Sequence, residues 1–221
     1  EEGALSANIR RVGGSKADSS TPMSPSKMAS TSAAAADDGL AAVQWIADHA
    51  TDLGGVPGQL AVAGWSAGAN VAAVAAQLAR DAGGPAIAGQ LLLTPVTDGT
   101  VARPSYSDNA EGFLLTRNLM EWFWNHYCTR EERADPKASP LLGDLAGLPP
   151  AMVITCEFDP LRDEGNDYAA ALAAAGVPVE HVQARGHMHT SITMVDVVLT
   201  GKEYREKMGN ALRGFFASVH A

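Results

Sequence analysis

The segment Gly64-Trp65-Ser66-Ala67-Gly68 carries the clearest chemical signal in the sequence. A short apolar run (59–64) precedes it, and a helical pattern from about residue 66 to 80 follows it. In a strand–turn–helix of this kind the turn is so tight that only glycine is expected two residues before and after the serine. The N–H of Ala67 then points toward any oxyanion formed beside Ser66. The pattern predicts a nucleophilic serine, against the alternative of an ordinary Gly/Ser loop at a helix N-terminus.

A nucleophilic serine needs a histidine base and a carboxylate that orients the histidine. Behind a turn of this type the chain order is serine, acid, histidine. Asp98 and Asp159 both follow a predicted strand, at the sheet edge where catalytic groups gather. Asp163 and Glu164 are expected instead to be the first-turn acids of the next helix. Asp159 and Asp98 are therefore the leading candidates for the acid.

Two histidines, His187 and His189, stand in the segment Gly186-His187-Met188-His189, which is expected in the loop before the final helix. Their spacing does not choose between them, and in an extended loop both side chains would point in similar directions. Histidine pairs also occur in metal sites, but the sequence suggests no third ligand, so no metal is predicted. The other histidines are expected at packed or surface positions: His181 in a strand, His126 as a structural or pocket-lining residue, and His49 and His220 at helix ends.

Apolar strands alternate with helical patterns from Asp37 onward. Strands are predicted at 59–64, 90–94, 151–156 and 177–182, and helices from about 37, 66–80, 117–127, 163–175 and 202–219. This alternation indicates an α/β fold with a mostly parallel sheet covered by helices on both faces. Pro178 favours an edge position for the last strand. Residues 1–36 are rich in Ser and Ala without an apolar period, and they are expected to form an irregular tail.

Composition narrows the class of protein. The 221 residues suffice for one domain, with 46% hydrophobic and 19% charged residues, as in globular chains. The net charge of −9 argues against a general nucleic-acid partner, and no apolar run is long enough for a membrane span. Cys128 and Cys156 are too far apart in sequence for a disulfide framework or a zinc motif. The first residues lack the pattern of a signal peptide, so a cytoplasmic location is expected.

From about Asp37 to the C-terminus the chain resembles the hormone-sensitive-lipase-like group of α/β-hydrolases, bacterial carboxylesterases in particular. The motifs that carry the resemblance are, in order, Gly64-Trp65-Ser66-Ala67-Gly68-Ala69-Asn70, Ser139-Pro140-Leu141, Gly147-Leu148-Pro149-Pro150, Asp159-Pro160-Leu161-Arg162-Asp163-Glu164-Gly165 and Gly186-x-x-His189. The resemblance implies Asp159 as the acid and His189, rather than His187, as the base. It also implies ester hydrolysis through an acyl-enzyme on Ser66, without metal or organic cofactor, on small and fairly apolar esters.

The sequence departs from the family pattern in three places. Trp65 stands where the family usually has an acidic residue, which is expected to alter the pocket wall and to leave the turn intact. No His-Gly-Gly-Gly segment, whose N–H groups would complete the oxyanion hole, precedes Ser66, and Gly13-Gly14 has no histidine beside it. Nothing strand-like precedes Gln59. The strand that carries Ser66 is therefore expected at an unpaired edge, to be completed by a homo-oligomer or another chain.

Two function classes follow from these features. The first is a serine carboxylesterase with residues 37–221 as its catalytic domain; the second is a catalytically impaired hydrolase fold that binds a ligand or partner through the same pocket. The triad pattern favours the first and the missing donors favour the second. The segment 104–135 is expected to be pocket- or cap-associated. Its aromatic residues are interpreted either as a pocket lining or as ordinary helix packing: Phe113, Trp122, Phe123, Trp124 and Tyr127.

Overall fold

The computed structural model describes residues 31–217. Its helices are α1 (Thr31–Asp48), α2 (Ala67–Asp81), α3 (Ser105–Asp108), α4 (Arg117–Tyr127), α5 (Arg162–Ala174) and α6 (Gly201–Ala217). Its strands are β1 (Ala61–Trp65), β2 (Gly89–Leu93), β3 (Ala151–Phe158) and β4 (Val179–Met188). Short 3₁₀ turns occupy Glu132–Ala134, Pro140–Leu142 and Ser191–Thr193. The strands form one parallel sheet in the order β1-β2-β3-β4, which confirms the predicted α/β architecture.

The edge strand β4 is longer than predicted. The prediction ended it at Val182, but pairing with β3 continues through Gln183 and Ala184 and resumes at Met188 after an irregularity. The later residues are mostly polar because this half of the strand is exposed on one face, so the continuous apolar run that marks a buried strand is absent. The edge position that Pro178 predicted is confirmed, and β1 lies at the other edge of the described sheet.

The first helix begins before its predicted start. The prediction placed residues 31–36 in an irregular tail, but α1 already begins at Thr31. That prediction is wrong because 33–36 is a run of alanines, the strongest helix formers, and Ala36 is buried with 1% exposure. The rest of the predicted tail, residues 1–30, lies outside the described residues. Gly39 brings α1 close to α2, since a Cβ there would lie 3.0 Å from Cγ1 of Val71.

Helices cover both faces of the sheet. Alternate strand residues point to opposite sides: Leu92 and Val153 pack in the cluster formed with α2 and α5, while Leu91 and Met152 pack in the cluster formed with α6. Phe215 of α6 comes so close to β2 that a Cβ on Gly89 would lie 2.1 Å from its ring. Among residues 31–217, no helix is both long enough and apolar enough to span a membrane.

A third apolar cluster lies where the C-terminal ends of β2 and β3 continue into loops. It joins Val96 and Leu161, which follow those strands, to Tyr106 of α3 and to Met120 and Trp124 of α4. The sequence pattern predicted α4 with its observed bounds, whereas α3 and the 3₁₀ turns were not predicted. This cluster fixes α4 beside the strand ends.

Candidate active site

Ser66 occupies a tight turn between β1 and α2. Its backbone has φ 56° and ψ −121°, in the left-handed half of the map that favours glycine. Hydrogen bonds hold it there: the Ser66 N–H donates to the carbonyl of Leu93 at 2.9 Å, and the Ser66 carbonyl accepts from the N–H of Ala69 at 3.0 Å. The neighbouring strand and the first turn of the helix therefore fix the position of the hydroxyl.

The two glycines of the turn differ in the space available for a Cβ atom. A Cβ on Gly64 would lie 2.1 Å from the carbonyl oxygen of Gly68, so residue 64 must be glycine in this backbone. A Cβ on Gly68 would meet nothing within 4 Å among the described residues. The predicted steric requirement is confirmed at Gly64 and is wrong at Gly68 for the part of the chain that the structure describes.

The structure brings Ser66, His189 and Asp159 together from the ends of three strands. His189 Nδ1 lies 2.7 Å from Asp159 Oδ2, and His189 Nε2 lies 3.0 Å from Ser66 Oγ. An ionised carboxylate only accepts, so Nδ1–H donates to Asp159. The neutral imidazole then has a lone pair on Nε2, which accepts the hydroxyl proton of Ser66. This arrangement can remove a proton from a serine nucleophile.

Hydrogen bonds fix the position of Asp159. Asp159 is fully buried, and its Oδ1 accepts from the N–H of Leu161 at 2.9 Å. The Asn109 side chain donates to the Asp159 carbonyl at 3.2 Å, and the Ser105 hydroxyl donates to the carbonyl of Pro160 at 2.6 Å. The residues at and after α3 therefore anchor the turn, and the remaining oxygen of Asp159 faces His189.

A cavity of about 400 Å³ opens beside the serine. Ser66 and Ala67 line one end, and Met120, Phe123 and Trp124 of α4 contribute to its apolar wall. The volume falls in the range of small-molecule sites.

Comparison with known proteins identifies the family of the chain. A family model described as alpha/beta hydrolase fold matches residues 29–193. The chain belongs to the α/β-hydrolase family. This confirms the predicted fold, and the relatives described next confirm the resemblance to bacterial carboxylesterases.

Relatives of this α/β-hydrolase carry esterase names. Carboxylesterase NlhH of Mycobacterium tuberculosis is 40% identical over 190 residues, which are 84% of this chain and 59% of the relative. Ethyl acetate hydrolase of Pseudomonas putida is 38% identical over 169 residues, 74% of this chain and 52% of the relative. The solved structure of EstE1, a thermostable carboxylesterase from a metagenomic library, is 40% identical with a TM-score of 0.79, over 82% of this chain and 63% of that one. The chain thus spans about half to three fifths of the length of these proteins.

The other acids of the α/β-hydrolase chain lie outside the Ser–His–Asp cluster. Asp98 pairs with Arg103 at 2.8 Å. Asp163 is in the first turn of α5, as predicted, and accepts from the N–H of Ser105 at 2.8 Å. Partial burial opposes its ionisation, but hydrogen bonds from Arg162 and Ser105 outweigh it and hold the pKa of Asp163 below its usual value.

Glu164 is in the same helical turn but is fully buried. Its Oε1 accepts from the N–H of Thr97 at 2.8 Å, and its Oε2 accepts from the Tyr106 hydroxyl at 3.0 Å. Burial raises the pKa of Glu164 to about 8, although these hydrogen bonds favour the charged form. The sequence does not reveal the burial of Glu164, because a buried first-turn acid has the same local pattern as an exposed one.

His187 is not part of the cluster around Ser66. Its Nδ1 lies 2.9 Å from Ser191 Oγ, and its ring meets Tyr204 of α6 edge-on. Burial lowers the pKa of His187 below its usual value. The expectation that His187 and His189 point in similar directions is wrong, because β4 ends at Met188 and the alternation of a strand does not continue into the turn.

The other three histidines among residues 31–217 have partners other than Ser66. His181 lies in β4, as predicted, with Nε2 3.3 Å from Thr155 Oγ1, and burial lowers its pKa. His126 lines the cavity, and its ring lies tilted against that of Trp122, with centroids 4.1 Å apart. His49 lies just after α1 and stacks on Trp45, and His220 lies outside the described residues.

The aromatic segment divides between lining and packing. Phe123, Trp124 and Tyr127 line the cavity, whereas Trp122 is exposed and Phe113 stacks on Phe158. Trp65, expected to alter the pocket wall, lies with its ring centroid 5.9 Å from that of His189.

Asn70 is a further residue of the site whose role the sequence did not reveal. It is buried, and its amide donates to the carbonyls of Val96 and Ala138 at 2.9 and 2.8 Å. It also lines the cavity. One side chain of α2 therefore holds two loops against the helix that begins at the serine turn.

No group in the described residues is arranged to bind a metal ion. Three or more His, Cys, Asp or Glu side chains do not cluster suitably anywhere in residues 31–217. Cys128 and Cys156 are unpaired and buried, and burial raises the pKa of both thiols. Neither thiol is therefore activated as an alternative nucleophile.

Proposed function

We propose that this chain is a serine carboxylesterase that hydrolyses small, fairly apolar esters. The observation that carries the proposal is the continuous hydrogen-bonded line from Asp159 through His189 to Ser66, with separations of 2.7 and 3.0 Å. The esterase names of its relatives support the same reaction. The chain spans only part of the length of those relatives. Esterase activity of this chain is therefore stated as a proposal.

The proposed reaction has two half-reactions. Ser66 Oγ attacks the ester carbonyl carbon while His189 Nε2 takes the hydroxyl proton. The tetrahedral intermediate collapses, the C–O bond to the alcohol breaks, and His189 returns the proton to the departing alcohol. Water, activated by the same imidazole, then attacks the acyl-enzyme and releases the carboxylic acid. Asp159 keeps the imidazole in the required tautomer and stabilises its charged form.

The proposed oxyanion donor is the N–H of Ala67. It begins α2, so it has no acceptor four residues earlier within the helix, and it lies beside Ser66 at the positive end of the helix dipole. Ala67 also lines the cavity, which supports a role for its N–H beside a bound substrate carbonyl. One donor of this kind contributes about 10²–10³ to turnover in a comparable enzyme.

The cavity supports apolar substrates. Its wall is mostly aliphatic and aromatic, and each methylene buried there is worth about 0.8 kcal/mol, or about fourfold in kcat/KM. We expect kcat/KM for p-nitrophenyl esters to rise by this factor per added methylene until the acyl chain extends beyond the cavity. Discrimination between esters, amides and lactones depends on pocket shape, because the same three catalytic residues serve all of them. The proposal includes a cytoplasmic location and a homo-oligomer or complementing chain at the edge of the sheet.

The test is the intact mass of the 221-residue chain after treatment with a fluorophosphonate. We expect one adduct on the wild type, none on Ser66→Ala, and one on Ser107→Ala, which removes an exposed serine of α3 as a matched control. Hydrolysis of p-nitrophenyl acetate should follow the same pattern.

The contrary result is equally specific. If the wild type is folded by circular dichroism but forms no adduct and hydrolyses no ester, the carboxylesterase proposal fails for this chain. The second function class, a binding scaffold without turnover, would then account for the cavity. An adduct that survives Ser66→Ala would refute the assignment of the nucleophile.

A further inference from the structure

The turn that carries His189 contains a second polar cluster. His187 precedes His189 and Ser191 follows it, and the two residues are only 3% and 4% exposed. His187 Nδ1 lies 2.9 Å from Ser191 Oγ. Tyr204 of α6 meets the His187 ring edge-on, with centroids 5.0 Å apart. The proposed reaction uses none of these three side chains.

The Ser191 hydroxyl contacts both polar backbone atoms of Met188. The N–H of Met188 donates to Ser191 Oγ at 3.2 Å, and Ser191 Oγ donates to the Met188 carbonyl at 3.0 Å. A hydroxyl has one proton to donate and two lone pairs with which to accept. If the proton goes to the Met188 carbonyl, the lone pairs accept from the Met188 N–H and from His187 Nδ1–H. All three contacts are then satisfied at once.

This arrangement determines which tautomer His187 adopts. If Nδ1 were unprotonated, the only proton between the two side chains would be that of Ser191, and the Met188 carbonyl would lose its donor. The assignment that leaves no contact unpaired therefore has a proton on His187 Nδ1. His187 then anchors Ser191 while Ser191 holds the backbone.

The held backbone leads directly into the proposed base. The carbonyl of Met188 and the N–H of His189 belong to one planar peptide unit. Holding that carbonyl therefore also holds the peptide plane that ends at the Cα of His189, and with it the direction of the His189 side chain. The next residue, Thr190, has φ 73°, a conformation that needs external support in a residue with a branched side chain.

We propose that Ser191 is a positioning residue for His189, held in place by His187. The inference rests on the proposed function, since it assigns Ser191 a part in keeping His189 Nε2 near Ser66. Neither Ser191 nor His187 contacts the reacting atoms. Their effect passes through the Met188–His189 peptide.

The main test is Ser191→Ala in the 221-residue chain. Displacing a reacting group by about 1 Å costs about 10² in rate, so we expect kcat to fall by about 10- to 100-fold with KM nearly unchanged. The matched control is Thr193→Ala, which removes an exposed hydroxyl bond to the Thr190 carbonyl in the same turn. The Thr193 N–H still donates to that carbonyl at 2.8 Å, so Thr190 stays supported and kcat should remain within about twofold. His187→Asn keeps an N–H donor and should retain more turnover than His187→Leu.

A second measurement does not depend on turnover. The His189 Nδ1–H bonded to Asp159 is expected to give a downfield proton resonance, which Ser191→Ala should shift or abolish and Thr193→Ala should leave in place. If Ser191→Ala lowers only the unfolding temperature and leaves both kcat and the resonance unchanged, Ser191 is merely structural and the inference is wrong. An equal loss in Thr193→Ala would also overturn it. A wild type without esterase activity refutes the proposed function, while the resonance still decides the role of Ser191.

Discussion

Replacing Gly64 with alanine tests whether the tight turn positions the serine hydroxyl. A Cβ at residue 64 would lie 2.1 Å from the carbonyl oxygen of Gly68 and 2.5 Å from the nitrogen of Ala69. Real Cβ atoms essentially never approach closer than 3.0 Å, and both obstacles are backbone atoms, so they cannot rotate away. The start of α2 must therefore move by about 1 Å, a displacement that costs about 10² in rate when it separates reacting groups.

The expected result is a fall in kcat/KM of about 10² or more for Gly64→Ala. Overpacking should also lower the free energy of unfolding by about 1–3 kcal/mol. Gly68→Ala is the matched control, because its Cβ meets nothing within 4 Å among the described residues. As Gly68 lies in the first turn of α2, alanine there should stabilise the chain by up to about 0.5–1 kcal/mol.

Three measurements separate position from stability: initial rates with p-nitrophenyl acetate, the rate of fluorophosphonate labelling, and urea unfolding followed by circular dichroism. The reasoning predicts a large loss in both rates for a Gly64→Ala chain that is still folded. It is refuted if folded Gly64→Ala retains kcat/KM within about threefold of the wild type. It is also refuted if Gly68→Ala is as damaging as Gly64→Ala.

Three further substitutions give distinct results. Asp159→Asn should lower kcat by about 10⁴ while the chain stays folded, because the amide favours the wrong imidazole tautomer; an unchanged kcat would exclude Asp159 as the orienting acid. Burial raises the pKa of Glu164 from 4.5 to about 8, so the folded chain keeps a proton that the unfolded chain has lost, and stability falls by about 1.4 kcal/mol per pH unit between those values. Glu164→Gln should remove that slope from urea unfolding measured at pH 5 to 8, and an unaltered slope would contradict the burial argument. Phe123→Ala should lower kcat/KM severalfold more for hexanoate than for acetate esters, unlike Leu114→Ala, which removes an exposed side chain outside the cavity lining; equal effects would contradict the assigned wall.

The sequence predicted the sheet and the three residues that meet at its edge. Buried parallel strands are continuous apolar runs, and the strands before Ser66 and Asp159 have that pattern. The residues that follow such strands must lie at one edge of the sheet, so their proximity follows from topology alone. The choices of Asp159 over Asp98 and of His189 over His187 came from the family resemblance. Asp98 also follows a predicted strand, and two residues of spacing do not reveal where a strand ends.

The residues that the sequence did not reveal act through side chains whose partners are distant in the chain. Glu164 accepts a hydrogen bond from the N–H of Thr97, which is 67 residues away in the sequence. Asn70 donates to the carbonyl of Ala138, which is 68 residues away. Local periodicity contains no information on such pairs. The start of α1 was missed for a different reason, since serine-rich composition concealed the alanine run that extends the helix to Thr31.

Backbone strain concentrates at the edge of the sheet where the site lies. Four described non-glycine residues have positive φ, and three of them lie at this edge: Ser66 directly after β1, Thr94 directly after β2, and Thr190 two residues after β4. The fourth, Val101, lies further along the loop that follows β2. Each such residue costs about 1–3 kcal/mol and persists only where its surroundings hold it. The hydrogen bonds from Ser66 N–H to Leu93 and from Thr94 N–H to Ile154 do this by tying each turn to the neighbouring strand. A relaxed turn would be more stable locally, but it would no longer aim Ser66 at His189, so the strain is best explained by the position it enforces.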